Sequence, residues 1–477
     1  MTDRLPPNAL ETARKIHILG VAGTAMGTFA RMLAARGYDV RGSDVACYPP
    51  MSDQLAAASI PITLGYAAAN LDWGPDLVIV GNVIRRDNPE ALEVVRRALP
   101  YGSFPEVFGQ GFLPGRRPVV ITGTHGKTTT TSLTAVLLRG GGRDPGLFVG
   151  GVPRDFGQSF LLGSGAHFVI EGDEYDTAYF DKIPKFLHYR PEVGVITNIE
   201  FDHADIYPNV EIIEAEFAKF VALIPAAGRL IVHGGDVRAS RVARASSAAV
   251  ETYGVPGATW TATEVDVGQD RTTFTLCHGS VPVGRLHSPL PGAHNLDNAL
   301  AALAVALGEG VTFDDAATAL AGFQGVKKRQ EVKGVERGVT VIDDFAHHPT
   351  AVRETVRAIR ARYPAARLFC CFEIESNTSR RRAFQDAYPP AFEGATAVLF
   401  CRPLEKADNL PPEERIQLSE VVAALRDEGI LAELIPEVGD MVAWLAARVQ
   451  PGDVVLGMSG RHFYGLHQLL LDALRAT

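Results

Sequence analysis

At 477 residues the chain is too long for one ordinary core, and its 46% hydrophobic and 21% charged residues describe a globular protein of two to four domains. A formal net charge of −9 excludes a general basic surface for nucleic acid or an anionic membrane. No stretch is apolar for long enough to span a bilayer and Met1–Asn8 has no signal-peptide core, so the expected location is cytoplasmic. The five cysteines show no paired metal-ligand spacing, and adjacent Cys370 and Cys371 fall in an apolar run that reads as a buried strand rather than a redox pair.

Strand-like and helix-like runs alternate throughout, the pattern of an α/β architecture with mainly parallel sheets. The first segment opens with Lys15-Ile-His-Ile-Leu19, a short buried strand, then Gly20, Gly23 and Gly27 and a helix to about Arg36. A second strand, Tyr38–Arg41, leads into Gly42-Ser43-Asp44, and Leu77–Val80 supplies a third. A glycine turn between strand and helix lets a diphosphate approach the backbone, and Asp44 at the end of the next strand can bond a ribose hydroxyl. The spacing Gly-x-x-Gly-x-x-x-Gly weakens an NAD reading and suits another diphosphate, such as a UDP-sugar; close helix–strand packing without a ligand is the alternative. The segment ends near Gln110, and Phe112–Pro118 has the composition of a linker.

The second segment begins with the most informative stretch, Val119-Val-Ile-Thr-Gly123-Thr124-His125-Gly126-Lys127-Thr128-Thr129, after which Ser132–Arg139 reads as helix. A strand that delivers glycine-rich backbone to a helix N-terminus makes a phosphate cradle, with Lys127 in reach of β/γ-phosphate oxygens and a hydroxyl of Thr128 or Thr129 available to Mg²⁺. The common form of this loop has a glycine where Ile121 stands, so the loop is a shortened variant, which argues against a GTPase or a motor ATPase.

Strands at Phe168–Glu171 and Val193–Thr197 follow. The first exits into Glu171-Gly-Asp173-Glu174-Tyr-Asp176, which is either a Mg²⁺-holding acidic group or a solvated turn. The second exits into Asn198-Ile-Glu-Phe-Asp202-His203-Ala-Asp205, where His203 reads as metal ligand or proton shuttle. Asn295 either reads a base edge or caps the helix that begins near His294, whose Leu296, Leu300, Leu303 and Leu307 form one apolar face. Lys327-Lys328-Arg329, near the next boundary, is either a phosphate contact made on domain closure or a solvated basic face.

The third segment starts around Glu331, with strands at Leu368–Phe372, Ala397–Phe400 and Asp453–Leu456 and a helix over Pro349–Tyr363. Val341-Ile-Asp343-Asp344-Phe-Ala-His347-His348-Pro349 places two acids and two histidines between strand and helix; without further ligands at suitable spacing it points to nucleotide and substrate contacts rather than zinc.

Taken in order, Gly20–Gly27 with Gly42-Ser-Asp44, Thr122–Thr129, Glu171-Gly-Asp-Glu174, Asn198-Ile-Glu-Phe-Asp-His203, Gly292-Ala-His-Asn295, Arg329 and Asp343-Asp-Phe-Ala-His-His-Pro349 resemble the Mur ligase family of peptidoglycan synthesis. The resemblance covers nearly the whole chain. It implies a three-domain architecture: a Rossmann-like UDP-sugar domain over residues 1–112, a P-loop-type ATPase domain over 113–330 and a Rossmann-like acceptor domain over 331–477. It also implies an ATP-dependent, ADP-forming amide ligase that works through an acyl phosphate with two Mg²⁺ ions, as a monomer or weak homodimer. The residues it assigns to catalysis are Lys127, Glu171 and His203, with Thr128, Glu171 and His203 on the metal. ATP falls to Gly123–Thr129 with Asn295, Arg329 and Asp344, and the UDP-sugar to Gly20, Gly23, Gly27, Ser43, Asp44 and Asn82. The acceptor falls to His347, Ser376, Asn377, Thr378 and Arg380.

Two branches of the family join an amine to the lactyl carboxylate of UDP-N-acetylmuramate, one adding L-alanine and the other an intact L-Ala-γ-D-Glu-meso-diaminopimelate tripeptide during recycling. Tyr48-Pro-Pro-Met-Ser52, Asp173–Asp181, Lys185–Pro191, Phe201–Tyr207 and Ser376-Asn-Thr378 resemble the recycling branch. That branch usually reads Glu-Pro-Arg-Ser-Asn-Thr where this chain has Glu373-Ile-Glu375-Ser-Asn-Thr378, and Gly460-Arg-His-Phe-Tyr-Gly465 also departs from it. A glutamate in place of arginine repels an acceptor carboxylate. A non-catalytic UDP-sugar and ATP sensor is the alternative from a different class.

Overall fold

The computed structural model describes residues 4–268, 271–403 and 410–476. Three large sheets follow one another along the chain, and each is built mainly from short, buried parallel strands. Strands buried on both faces read as near-continuous apolar runs, which is why Leu77-Val-Ile-Val80 and Leu368–Phe372 are legible from sequence.

The first sheet has five parallel strands, ordered Ile62–Leu64, Asp39–Asp44, Lys15–Leu19, Leu77–Val80 and Tyr101–Ser103. The chain reverses its direction of strand addition beside Lys15–Leu19, so the turns after that strand and after Leu77–Val80 leave a crevice between them. The second strand runs on to Asp44, beyond the Arg41 end expected from sequence, because Gly42, Ser43 and Asp44 all pair with the Ile62–Leu64 edge. The helix Phe104–Phe112 is set by a capping box, Ser103 with Glu106. The linker composition of Phe112–Pro118 overstates the linker: Phe112 closes that helix and Arg117 opens the next strand.

The central sheet has ten strands. Arg117–Thr122 lies between Val193–Ile196 and His167–Gly172, all parallel, so the loops leaving these three strands emerge side by side. A meander over Trp260–Ser288, not anticipated from sequence, extends one edge. Helix Ala293–Gly308 is buried along most of its length rather than on one face, since Ala299 to Ala306 are all buried.

The third sheet has six strands, with Val339–Asp344 next to Val454–Met458 and then Leu368–Phe372, and an antiparallel edge strand, Glu331–Glu336. Cys370 and Cys371 are fully buried in it as free thiols. A cluster of phenylalanines joins the first unit to the second: Phe104 and Phe108 lie 4.9 and 5.2 Å from Phe148, and Phe108 meets Phe168 edge-on at 5.4 Å. Each ring buried there contributes about 1.5–3 kcal/mol relative to leaving it exposed. Among the described residues no helix is long and apolar enough to cross a membrane.

Candidate active site

The three central loops converge on one cavity of about 790 Å³ that is also walled by the C-terminal unit. Its floor is the phosphate loop. Gly126 has φ +82°, and a Cβ there would come within 2.5 Å of Asn298 Oδ1, so glycine is required both for the turn and for the close approach. Asn198 pins the loop from the next strand, accepting from His125 N at 2.8 Å through its side chain and from Thr124 N at 3.0 Å through its carbonyl. The helix starts at Lys127 rather than Ser132, because the threonines of its first turn are buried and tied in; Thr130 Oγ1 donates to Asn298 Oδ1 at 3.1 Å. Gly123 also takes a positive φ, and Thr129 lines the cavity with Thr124–Thr128.

Lys127 Nζ donates to Gly123 O at 2.5 Å and to Glu174 Oε2 at 2.8 Å. Burial alone would lower its basicity, but Glu174, Asp173 and Glu171 outweigh that and hold the ammonium above its ordinary value. Glu171 behaves differently. Burial pushes its carboxyl up; the hydrogen bond from Gly150 N at 2.8 Å and the charges of Lys127 and Arg329 offset this only in part, and the Thr128 hydroxyl donates to it at 3.1 Å. Asp173, whose side chain is 35% exposed, is desolvated in part, yet Lys185 at 2.5 Å, with Lys127 and His203, holds it well below the usual carboxylate range.

His203 has φ +52° and turns its Nε2 to Glu174 Oε1 at 3.2 Å. Burial would lower its pKa, but Asp202 and Glu174 raise it to about 9. Asp173, Glu174 and His203 bring three ligand atoms within 4.8 Å of one another.

The opposite wall comes from the segments after Gly292 and Arg329. Asn295 sits inside the first helical turn; its amide donates to Pro291 O at 2.7 Å and its oxygen accepts from Asn298 at 3.1 Å, so it closes the helix entry while still lining the cavity. Asp344 accepts from Gln330 N at 2.7 Å and Ala346 N at 2.8 Å, which folds the Arg329–Gln330 backbone onto the third sheet. Arg329, Asp344 and His347 all line the cavity. Ser376, Asn377, Thr378 and Arg380 do not; Ser376 bonds to Ser379, Asn377 and Thr378 bond to the His203 loop, and Arg380 is buried.

The first unit carries its own smaller cavity of about 280 Å³, lined by Gly20, Gly23, Asp44 and Asn82 among others. Asp44 accepts from Ala22 N at 2.9 Å and thereby shapes the glycine turn. Two residues expected here lie elsewhere. Ser43 is fully buried with its hydroxyl on Glu90 at 2.6 Å, and Gly27 makes room for Met51, whose sulfur a Cβ would meet at 2.2 Å.

The structure adds site residues that sequence spacing did not single out. Lys185 pairs with Asp173, and Glu200 accepts from Thr350 at 2.7 Å with His125 at 3.4 Å and His348 at 3.9 Å. Thr350 lies 150 positions from Glu200, whose one local signal was its place between Asn198 and Asp202, whereas Lys185 lies only 12 positions from Asp173.

Comparison with known proteins accords with this arrangement. The family description "Mur ligase family, catalytic domain" matches residues 15–112, "Mur ligase middle domain" matches 121–306, and "Mur ligase, glutamate ligase domain" matches 328–461. The UDP-N-acetylmuramate–L-alanyl-γ-D-glutamyl-meso-2,6-diaminoheptandioate ligase of Escherichia coli (strain K12) is 38% identical over 462 residues, covering 96% of this chain and 98% of that one. The chain belongs to the Mur ligase family. Another relative is the UDP-N-acetylmuramate–L-alanine ligase of Clostridium acetobutylicum, 31% identical over 97% of this chain and 98% of that one. Among solved structures, the murein peptide ligase of Psychrobacter arcticus 273-4 superposes with a TM-score of 0.73 at 33% identity, covering 97% of this chain and 99% of that one. The family's three-domain architecture is thus present from end to end.

Proposed function

We propose that the protein joins the lactyl carboxylate of UDP-N-acetylmuramate to the amine of an L-Ala-γ-D-Glu-meso-diaminopimelate peptide, with ATP converted to ADP and phosphate, in peptidoglycan recycling in the cytoplasm. The observation that carries this reading is the single cavity in which Lys127 and Glu171 face Arg329, Asp344 and His347. Full-length similarity to the E. coli ligase of that specificity supports the acceptor.

In the first step a carboxylate oxygen attacks the γ-phosphorus and the bond to ADP breaks. In the second the peptide amine attacks the acyl phosphate carbon, loses a proton and expels phosphate. Positioning and charge stabilisation dominate such chemistry. Lys127 is the cation at the β/γ-phosphates; to reach them it leaves the Glu174 carboxylate to which it donates. Arg329 supplies a second cation from the facing wall, and walls contributed by both the central and the C-terminal units would restrain water from the activated carboxyl.

The donor set fits Mg²⁺. Glu171 is a half-buried carboxylate next to the Thr128 hydroxyl, with Lys127 and Arg329 near enough to act on its charge, and hard oxygen donors of this kind suit that ion. Thr128 and Glu171 would hold one ion, and His203 with Asp173 or Glu174 a second. When bound, such ions neutralise phosphate charge.

The test is phosphate release by purified protein with UDP-N-acetylmuramate, ATP, Mg²⁺ and a panel of acceptors. Release is expected to be fastest with the tripeptide. Faster release with free L-alanine moves the protein to the other branch, and none with any acceptor rejects the ligase reading.

A further inference from the structure

The segment after strand Leu368–Phe372 reaches across to the loop that carries His203 and grips it at two points. Thr378, 2% exposed, donates its hydroxyl to Asp202 Oδ1, and the same oxygen accepts the backbone N–H of His203 at 2.7 Å. Beside it, Asn377 Nδ2 donates to Asp205 Oδ2 at 2.8 Å, and that oxygen also accepts the Tyr175 hydroxyl. The Tyr175 ring stands edge-on to the His203 ring, with centroids 5.0 Å apart. One hydrogen bond therefore acts on the backbone of His203 and the other, through Tyr175, on its ring. His203 needs such support, since its left-handed φ of +52° is unfavourable for a side chain with a Cβ and persists only where the surroundings enforce it.

We propose that Thr378 and Asn377 are positioning residues that set His203 through Asp202 and through Asp205 with Tyr175. This rests on reading the cavity as the site of carboxylate activation. Thr378 is buried away from the cavity with its one hydroxyl proton on Asp202, so it is not an acceptor contact, and the C-terminal unit must be seated for His203 to present Nε2 to the nucleotide site. Seating of the acceptor-side unit is thereby linked to the first chemical step.

Thr378→Val keeps the volume and removes the donor, and Thr378→Ser restores it. With saturating UDP-N-acetylmuramate and ATP, Thr378→Val is expected to lower kcat about tenfold, the scale for losing one hydrogen bond to a charged group. The acceptor KM stays within about twofold, as expected for a residue that does not bind the acceptor, and Thr378→Ser recovers most of kcat. A readout independent of turnover is Mn²⁺ affinity in the presence of a non-hydrolysable ATP analogue, followed by electron paramagnetic resonance, which falls in Thr378→Val and recovers in Thr378→Ser. If Thr378→Val fails to fold, Asn377→Ala at the more exposed contact repeats both measurements. A raised acceptor KM with kcat and Mn²⁺ affinity intact overturns the proposal, as does a serine variant no better than valine. The Mn²⁺ pattern in a protein that releases no phosphate with any acceptor upholds the positioning role and sinks the functional reading instead.

Discussion

The guanidinium of Arg329 donates to the Thr128 hydroxyl across 3.2 Å while lying 4.6 Å from the centre of the Phe345 ring. One side chain thus ties the first turn of the phosphate-loop helix to the loop that ends strand Val339–Asp344. The planar guanidinium makes both contacts at once, whereas a lysine ammonium, a point charge, cannot stack on the ring and reach the hydroxyl in the same way. Arg329→Lys is expected to lower kcat/KM for ATP by about 10- to 100-fold while leaving the melting temperature nearly unchanged. Unaltered ATP kinetics in that variant would remove Arg329 from the nucleotide site.

Lys127 is the only lysine among the described residues that lines the cavity from the phosphate loop itself, and its charge is held by three nearby carboxylates. Lys127→Ala is expected to cost ~10²-fold or more in turnover, the scale for deleting one charge-stabilising donor. Single-turnover phosphate release measures it, and near-normal release would refute the role.

His203 holds its proton up to about pH 9, because Asp202 and Glu174 outweigh the effect of burial. A metal ion that takes Nε2 must displace that proton, so apparent Mg²⁺ or Mn²⁺ affinity at this position rises as pH increases from 7 towards 9. Calorimetric titrations in buffers of different ionisation enthalpy should register proton release at pH 7.5. Affinity independent of pH over that range would take His203 off the metal.

Asp343 sits buried in the third sheet, and burial raises its pKa to about 7; Lys328 and Lys333 offset this in part, and Asp344 and Glu331 add to it. The folded state therefore holds a proton that the unfolded chain releases near pH 4. With more protons bound when folded, this group's contribution to stability declines as pH rises from about 4 to about 7. Asp343→Asn is expected to change the unfolding free energy little at pH 4.5 and to raise it relative to the parent at pH 8. Equal shifts at both pH values, in urea titrations, would contradict the assignment.

What was legible in the sequence, and what was not, divides along physical lines. Lys15–Leu19 and Leu368–Phe372 were readable because buried parallel strands are apolar runs closed by glycine or acid. The start of the phosphate-loop helix at Lys127 was not, because consecutive threonines have poor helix propensity and only their burial against Asn298 overrides it. The meander over Trp260–Ser288 has strands largely exposed at one end, which leaves little hydrophobic patterning to read. Glu171, Lys127 and His203 stand out in the sequence because each ends or follows a strand in a distinctive polar group, and the structure brings all three to the same cavity. The partner of Thr378 lies 176 positions away, and no local pattern encodes that contact. Ser43 likewise reads as a loop hydroxyl until Glu90 is seen to bury it.

The account stands on phosphorylation of a sugar carboxylate before amide formation, and isotope transfer tests that step directly. UDP-N-acetylmuramate carrying ¹⁸O in its lactyl carboxylate is turned over with ATP and the tripeptide, and the released phosphate is analysed by mass spectrometry. Phosphate bearing a single ¹⁸O atom is the predicted result. Amide product accompanied by unlabelled phosphate would contradict it.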